Sequence, residues 1–540
     1  MKYFLITLII LTPVLLFGQP SIQWQKCYGG SENDYPGGLI PTRDGGYIMA
    51  SSTKSTDGDM TSSHGDYDLW IVKMKVDGAI EWQKSYGGSR EDEGGAILQT
   101  FDGGYLIAAS TQSDDGDLQG VGHHGTLGSP DIWVLRIDSI GTILWQKTYG
   151  GSGYDVPVGL IPGTEGEYLI SAITRSSDGD VHGFHSGPGD DSWVFEISES
   201  GVLGWQRTLG GSKDDDLYSL VQTRDGGYAL AGVTYSNDGD VIGRHIIDTS
   251  NGDFWLVKLS SIGEIQWQKT YGGSKFEESF GLIPTFDNGY AVAGMTFSKD
   301  GDVAPTHDSM YFSNCWILKV NSAGDIDWEN TYGGSQGDAA YSILQTQDSG
   351  YIVSGSTSSD DGDVTGFHGN SDCWVFRLDK YGRLFWRQSL GGSASDANIG
   401  SGIMFAADSG YLVATVTSSW DGDVSGRRSD STNDGDIWLV KLSPEKAAVP
   451  RNKVSENSFN VYPNPTNGIG RITYRLDAPS KVRIEIVNPL GDILRTIDSG
   501  VQGSGVHESK FDLRSLSSGS YFFRIQKDGN ISVKSFEVVK

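Results

Sequence analysis

The chain has 540 residues, a formal net charge of −28 and only three cysteines. That length allows two or more domains, the acidity argues against nucleic acid and anionic membrane as partners, and three cysteines cannot build a disulfide framework. The charge is uneven: residues 451–540 hold 13 Lys and Arg against 9 Asp and Glu, so the acidity lies before them, where it fits solubility outside the cell or a site for cations.

Met1-Lys2 is followed by an apolar run from Tyr3 to Phe17 and then Gly18-Gln19-Pro20. The run is too short to span a bilayer and follows a positive charge, so residues 1–19 read as a secretory signal peptide. No later segment is apolar enough to cross a membrane, and the mature chain is expected to have no transmembrane segment.

From residue 20 the sequence repeats. Trp24, Trp82, Trp145, Trp205, Trp267, Trp328 and Trp386 each open a variant of Trp-Gln-Lys-x-Tyr-Gly-Gly-Ser, 58 to 63 residues apart. A second series, Asp-x-Trp in most copies, runs in phase at Trp70, Trp133, Trp193, Trp255, Trp316, Trp374 and Trp438. Each unit holds four strand-like runs, here called a to d. In the fourth they are 217–223, 227–234, 254–259 and 264–271, with Gly-containing turns joining a to b and c to d. Four strands per unit, seven times over, predict an all-β fold built on a seven-bladed β-propeller across residues 20–443. The array starts with a lone d-type run, 22–28, and stops after a c-type run, 437–442. Pairing those two would close the ring and remove exposed sheet edges. Cys315 and Cys373 occupy one repeat position in adjacent units, too far apart for a disulfide; with Cys27 they read as buried small hydrophobes.

The four-strand blade with tryptophan on strand c resembles WD-repeat and kelch propellers, without matching either signature closely. The Gly-Gly-Ser and Asp-Gly-Asp elements resemble propeller repeats of secreted bacterial proteins. After a polar linker, residues 444–457, the repeat vanishes and alternating strands take over in 458–540. Tyr462-Pro463-Asn464-Pro465-Thr466, a Leu-x-x-Gly-x-Tyr-Phe run through Gly519 and Tyr521, and the terminal Lys534-Ser535-Phe536 to Lys540 resemble the type A C-terminal sorting domain of the type IX secretion system, a small β-sandwich. This resemblance implies the type IX machinery as a partner, export across the outer membrane, removal of the domain, and release or attachment to surface lipopolysaccharide. The expected location is secreted or on the outer-membrane surface.

The turns joining a to b and c to d are minimal, while the b–c loops run 14 to 19 residues, so one propeller face is plain and the other decorated. Loops of that length are commonly functional. Three features recur there. The first is an acid three residues after Gly-Gly-Ser: Asp34, Asp92, Asp155, Asp215, Glu277, Asp338 and Asp396. These could line the channel mouth and hold a cation, but capping a turn is the simpler reading. The second is Asp-Gly-Asp, from Asp57/Asp59 to Asp421/Asp423. A third acid joins it at Asp114 with Asp115 and Asp117, and at Asp360 with Asp361 and Asp363. Those two clusters are candidate calcium sites, and calcium the one candidate cofactor, although an Asp-Gly turn explains the pattern equally well. The third is a histidine five residues on, at His64, His185, His245, His307 and His368, with His123 at six in the second unit and Arg428 in the seventh. It suggests an intra-blade hydrogen-bond network.

A residue present in every unit is explained by the fold, so a binding site is expected among departures from the repeat. These are Trp420, His123-His124, Arg427-Arg428 and Met310-Tyr311-Phe312, with Tyr235, Phe297, Phe184 and Phe367 as further loop aromatics. Aromatics amid Asp and Asn fit carbohydrate stacking. No nucleophile elbow, phosphate loop or zinc-ligand pair is present. No catalytic residue is assigned. The expected function is a binding or scaffold propeller for a glycan or a surface protein; the alternative is a glycan lyase or glycoside hydrolase on the same scaffold.

Overall fold

The computed structural model describes residues 17–125, 128–163, 166–185, 187–245, 251–304, 311–397, 402–429, 431, 434–447, 459–462, 466, 469–476, 479–488, 493–527 and 530–539. The leader up to residue 16, most of the linker, His307, Met310, Pro463, Asn464, Pro465 and Lys540 lie outside these residues. The chain divides into two compact units, Ser21–Pro444 and a second that holds the residues beyond it with the N-terminal stretch.

Ser21–Pro444 is a seven-bladed β-propeller of four-stranded antiparallel sheets. Blade 4 runs Asp215–Gln222, Tyr228–Thr234, Asp253–Leu259 and Ile265–Tyr271. Its strand a starts two residues before the apolar pattern does, because Asp215 already pairs with Thr234. Strand a of each blade packs on strand a of its neighbour through blades 1 to 7, so the a strands form the inner ring. Closure follows the predicted phase. Ile22–Tyr28 is the outer strand of blade 7, with Ile22 opposite Leu442 and Tyr28 opposite Ile437.

The seven strand-c tryptophans are fully buried. They lie between blades: Trp255 packs in one cluster with Leu169 and Val194 of blade 3. A buried indole N–H usually finds a partner, and the Gln of the motif supplies it in five blades and Glu329 in blade 5. Trp255 donates to Gln268 (2.9 Å) and Trp133 to Gln146 (2.9 Å). The Gln146 amide donates in turn to the Asp117 carbonyl (2.6 Å). Blade 6 has Arg387 at that position, and Trp374 Nε1 is left without a partner. The motif tyrosine ties one blade to the next: Tyr28 donates to the Gly78 carbonyl (2.6 Å) and Tyr271 to that of Gly324 (2.6 Å). Cys27, Cys315 and Cys373 are free and buried.

The second unit holds a three-stranded sheet, Phe459–Tyr462, Ile469–Leu476 and Gly505–Asp512, and a four-stranded one, Ile493–Gln502, Ser480–Val487, Gly519–Lys527 and Asn530–Val538. Alternating residues of both sheets, among them Ile472, Ile484, Phe511, Phe523 and Phe536, share one core.

Candidate functional site

The recurring acids are fully buried turn caps and do not line the channel mouth. Asp34 Oδ2 accepts from the Gly30 N–H (2.8 Å) and the Ser55 hydroxyl (2.9 Å), and Oδ1 accepts from Thr53. Burial pushes its carboxyl up to about 7 against the bonds from Thr53, Gly30 and Ser55. Glu277 repeats the pattern with one extra methylene, bonding Gly273 N–H (2.9 Å) and Thr296 (2.7 Å).

Asp-Gly-Asp fastens the connection between blades. Asp57 Oδ1 accepts the Ser31 N–H (2.8 Å), and Asp59 N–H donates to the Gly29 carbonyl (2.9 Å). The glycine between them is required twice. Its φ is +69°, and a Cβ there would lie 2.3 Å from the Gly29 carbonyl oxygen. The proposed calcium residues do the same work. Asp115 accepts Ser89 N–H (2.7 Å), Asp117 accepts Gly87 N–H (3.1 Å), Asp361 accepts Ser335 N–H (2.7 Å) and Asp363 accepts Gly333 N–H (3.4 Å). Asp114 and Asp360 are exposed beside them. Among the described residues no group of three or more His, Cys, Asp or Glu side chains is placed to hold a metal ion.

The histidines join blades, and the expected intra-blade network is half of a longer bridge. His245 Nδ1 meets Asp253 at the start of its own strand c (3.0 Å), and Nε2 meets Asp302 of the next blade's Asp-Gly-Asp (3.2 Å). His185 pairs likewise with Asp191 (3.0 Å) and Asp240 (3.7 Å), and His64 with Asp68 (3.5 Å) and Asp117 (3.9 Å). In blade 2 this place belongs to His124, between Asp131 (3.3 Å) and Asp180 (3.6 Å). That corrects the assignment of His123, which is buried and bonded to the Ser129 carbonyl (2.9 Å). A longer loop puts the equivalent histidine two residues further from the Asp-Gly-Asp than in the other blades. In blade 7, Arg428 reaches Asp59 of blade 1 (2.8 Å), so this departure from the repeat sits at the closing seam.

The other departures are scattered around the ring. Trp420 is half exposed, and the guanidinium of buried Arg427 lies 4.7 Å from its ring centroid. Tyr311 and Phe312 are exposed on the blade 5 loop. Tyr235 and Phe297 come together through a residue that sequence reasoning passed over, Phe276, 6.2 Å from each ring.

A second missed cluster lies on the inner strands beside them. Each a strand from blade 3 to blade 6 carries a one-residue β-bulge, at Val158, Tyr218, Phe280 and Tyr341. Bulges commonly re-aim a side chain. Here they form an aromatic arc across three blades, with Tyr218 5.9 Å from Phe280 and Phe280 5.1 Å from Tyr341. The Tyr218 hydroxyl donates to Asp216 Oδ2 (3.3 Å), while Asp216 Oδ1 is buried without a partner. Burial, then Asp190 and Asp214, push the Asp216 carboxyl up to about 7. Burial also raises Glu278, against a bond from Tyr218. Burial, Glu278 and Asp216 together raise the Tyr235 phenol to about 12, so the loop aromatics and inner carboxylates form one neighbourhood. The signal was readable as a column. The residue after each capping acid is Tyr35, Glu93, Val156, Asp216, Glu278, Ala339 or Ala397, the uneven pattern expected of a single site.

In the sorting unit Tyr462 is exposed, Tyr521 is buried with its hydroxyl donating to the Ser517 carbonyl (3.1 Å), and Gly519 pairs with Val538. Lys534 Nζ lies 3.5 Å from the Phe459 carbonyl.

Residues 460–539 match the family described as Secretion system C-terminal sorting domain. This carries export through a dedicated secretion system, to the medium or the cell surface. No helix among the described residues is long and apolar enough to cross a membrane. No curated protein matches the chain. Among solved structures it is similar to a putative gluconolactonase, at 10% identity over 78% of this chain and 93% of that one, with a TM-score of 0.32. It is similar to puromycin hydrolase at 12% identity, 82% and 59% coverage and a TM-score of 0.41. A mutant of NanB sialidase from Streptococcus pneumoniae gives 11%, 78% and 70%, and 0.38. These likenesses carry nothing about activity.

Proposed function

We propose that the exported propeller is a binding module whose ligand is a glycan held at the inner edge of blades 4 to 6. The observation that carries this is the joint departure of Asp216, Tyr218, Glu278, Phe280 and Tyr341 from a repeat that is otherwise structural. Aromatic faces stack on the apolar faces of sugar rings, and carboxylates take hydroxyl hydrogen bonds. Trp420 offers a smaller surface, since Arg427 already lies against its ring.

The test is a glycan array with the full chain, followed by mass spectrometry of the bound sugars. Binding without new chain ends is expected, with at least a tenfold loss in Asp216→Asn and Phe280→Ala and little change in Trp420→Ala. Equal binding by all four proteins would sink the inner-edge site. One observation favours a hydrolase as the second reading: the Asp216 carboxyl near 7 is suited to general acid work beside a second carboxylate. New reducing or unsaturated ends, lost in Asp216→Asn, would replace the binding module with that enzyme.

A further inference from the structure

On the plain face six blades neutralise themselves. A strand-c cation, three residues after the tryptophan, bonds the Asp of the a–b turn: Lys73 with Asp44 (2.8 Å), Arg136 with Asp102 (2.5 Å), Lys258 with Asp225 (3.0 Å), Lys319 with Asp287 (3.0 Å), Arg377 with Asp348 (2.6 Å) and Lys441 with Asp408 (2.8 Å). The same cations donate to the carbonyl of the following residue, as Lys258 does to Leu259 (2.8 Å) and Arg136 to Ile137 (2.6 Å). The turn must then close on glycine. A Cβ at Gly227 would stand 2.5 Å from Lys258 Nζ, and one at Gly46 would stand 2.9 Å from Lys73 Nζ.

Blade 3 keeps an acid, Glu165, at the turn position in sequence but changes the other two residues. Glu196 stands where the cation should be, and Glu167 where the glycine should be. Gly204 replaces the larger residue of the other blades; a Cβ there would lie 2.8 Å from Glu196 Oε1, so the glycine makes room for the carboxylate. The carbonyl that receives a cation elsewhere is here that of Ile197, opposite Tyr168 in the register. No side chain among the described residues donates to it. Glu167 Oε2 is buried without a partner among the described residues. The phenol of Tyr228, from blade 4, is fully buried, has no partner for its hydroxyl and lies in the field of both carboxylates. Among the described residues one side chain donates to the two carboxylates: Trp205 Nε1 bonds Glu196 Oε2 (3.1 Å).

We propose that this junction between blades 3 and 4 is a metal-cation site, in which an ion from solvent takes the place of the missing ammonium between Glu196, Glu167, the Ile197 carbonyl and Tyr228. The donors are all oxygen, two of them carboxylate, which selects a hard cation of the calcium class over softer metals. Glu167 Oε2 and the Tyr228 hydroxyl are buried with no partner among the described residues, and burying a polar or charged group unpaired is costly. The site lies on the opposite face from the glycan site and does not depend on it.

Terbium luminescence tests the site on the full chain, because Trp205 is bonded to a ligand and can sensitise a bound Tb³⁺ ion. The expected result is sensitised emission displaced by Ca²⁺, with a saturable rise in Tm on adding Ca²⁺. Glu196→Lys restores the ammonium that four other blades carry as lysine. It should abolish both effects while melting at or above the calcium-free wild-type temperature, and Glu196→Gln should weaken the ion at least tenfold. Emission and Tm shift unchanged in Glu196→Lys would move the ion to the Asp-Gly-Asp loops and overturn the proposal. So would a wild-type Tm indifferent to Ca²⁺.

Discussion

On the decorated face Asp215 is fully buried among neutral donors, while on the plain face of the same blade Asp225 is half exposed beside the ammonium of Lys258. Asp215 accepts from Gly211 N–H (2.7 Å), Ser236 (2.6 Å) and Thr234, and burial still pushes it up to about 6. Partial burial also works against ionisation of Asp225, but bonds from Thr223 and Lys258 outweigh it and hold that carboxyl at about 2. One residue type thus serves two ends. On one face it organises backbone and ties blade to blade; on the other it closes a turn within a blade.

The comparison is broken most directly by deleting each acid. Asp215→Ala leaves one N–H and two hydroxyls buried without an acceptor, a loss of about 3–5 kcal/mol. Asp225→Ala exposes Lys258 to solvent from a half-open turn, where the ammonium keeps the Leu259 carbonyl and Gln266, and about 1 kcal/mol is expected. Urea denaturation of the two variants measures the difference. Equal losses would mean that the faces do not divide the work as described.

The same contrast predicts the pH profile. A folded-state pKa above the unfolded 3.8 means that the folded protein keeps a proton the unfolded chain has released. Stability from Asp34, Asp92 and Asp215 is therefore full below about 4 and falls as pH rises to between 6 and 7. Asp44, Asp102 and Asp225, held at about 2, contribute above 3.8 and lose that contribution as pH falls toward 2. Tm should peak near pH 4–5, with an acid limb from the plain face and a neutral limb from the decorated one. Thr53→Val removes one hydroxyl that favours the ionised form, so it should steepen the neutral limb and leave the acid limb alone.

The ring itself was legible in the sequence, because tryptophan spacing and the phase at the two ends report a period that only neighbours can bury. The role of Asp34 and its equivalents was legible as well, since a turn-capping acid acts on residues a few positions away. The bridges were not. His245 stands five residues after Asp240, yet the carboxylate its Nε2 meets is Asp302, one blade later. The inner-edge site was hidden differently. Tyr218 and Phe280 alternate like ordinary strand residues, and only the bulge turns them into one arc. Glu196 was visible as a sign reversal in an otherwise basic column, but its meaning required the turn Asp that the other six blades place against that column.

The smallest effect expected is also the most specific. Where a buried cation and a half-exposed acid balance each other, replacing both by neutral groups of similar shape removes the attraction and the desolvation cost together. Lys258→Gln combined with Asp225→Asn keeps a neutral N–H donor on the side that bonds the Leu259 carbonyl, and should therefore change stability by no more than about 0.5 kcal/mol, less than Asp225→Ala alone. The decorated face has no such neutral exchange. Asp215→Asn keeps the shape but brings an amide N–H₂ toward hydroxyls and a backbone N–H that need acceptors. Its cost should stay near that of Asp215→Ala, at about 2–4 kcal/mol. If the plain-face double variant proves as damaging as Asp215→Asn, the six cation bridges are structural ties of equal rank, and blade 3, which has an acid in place of the cation, would be the weak point of the ring.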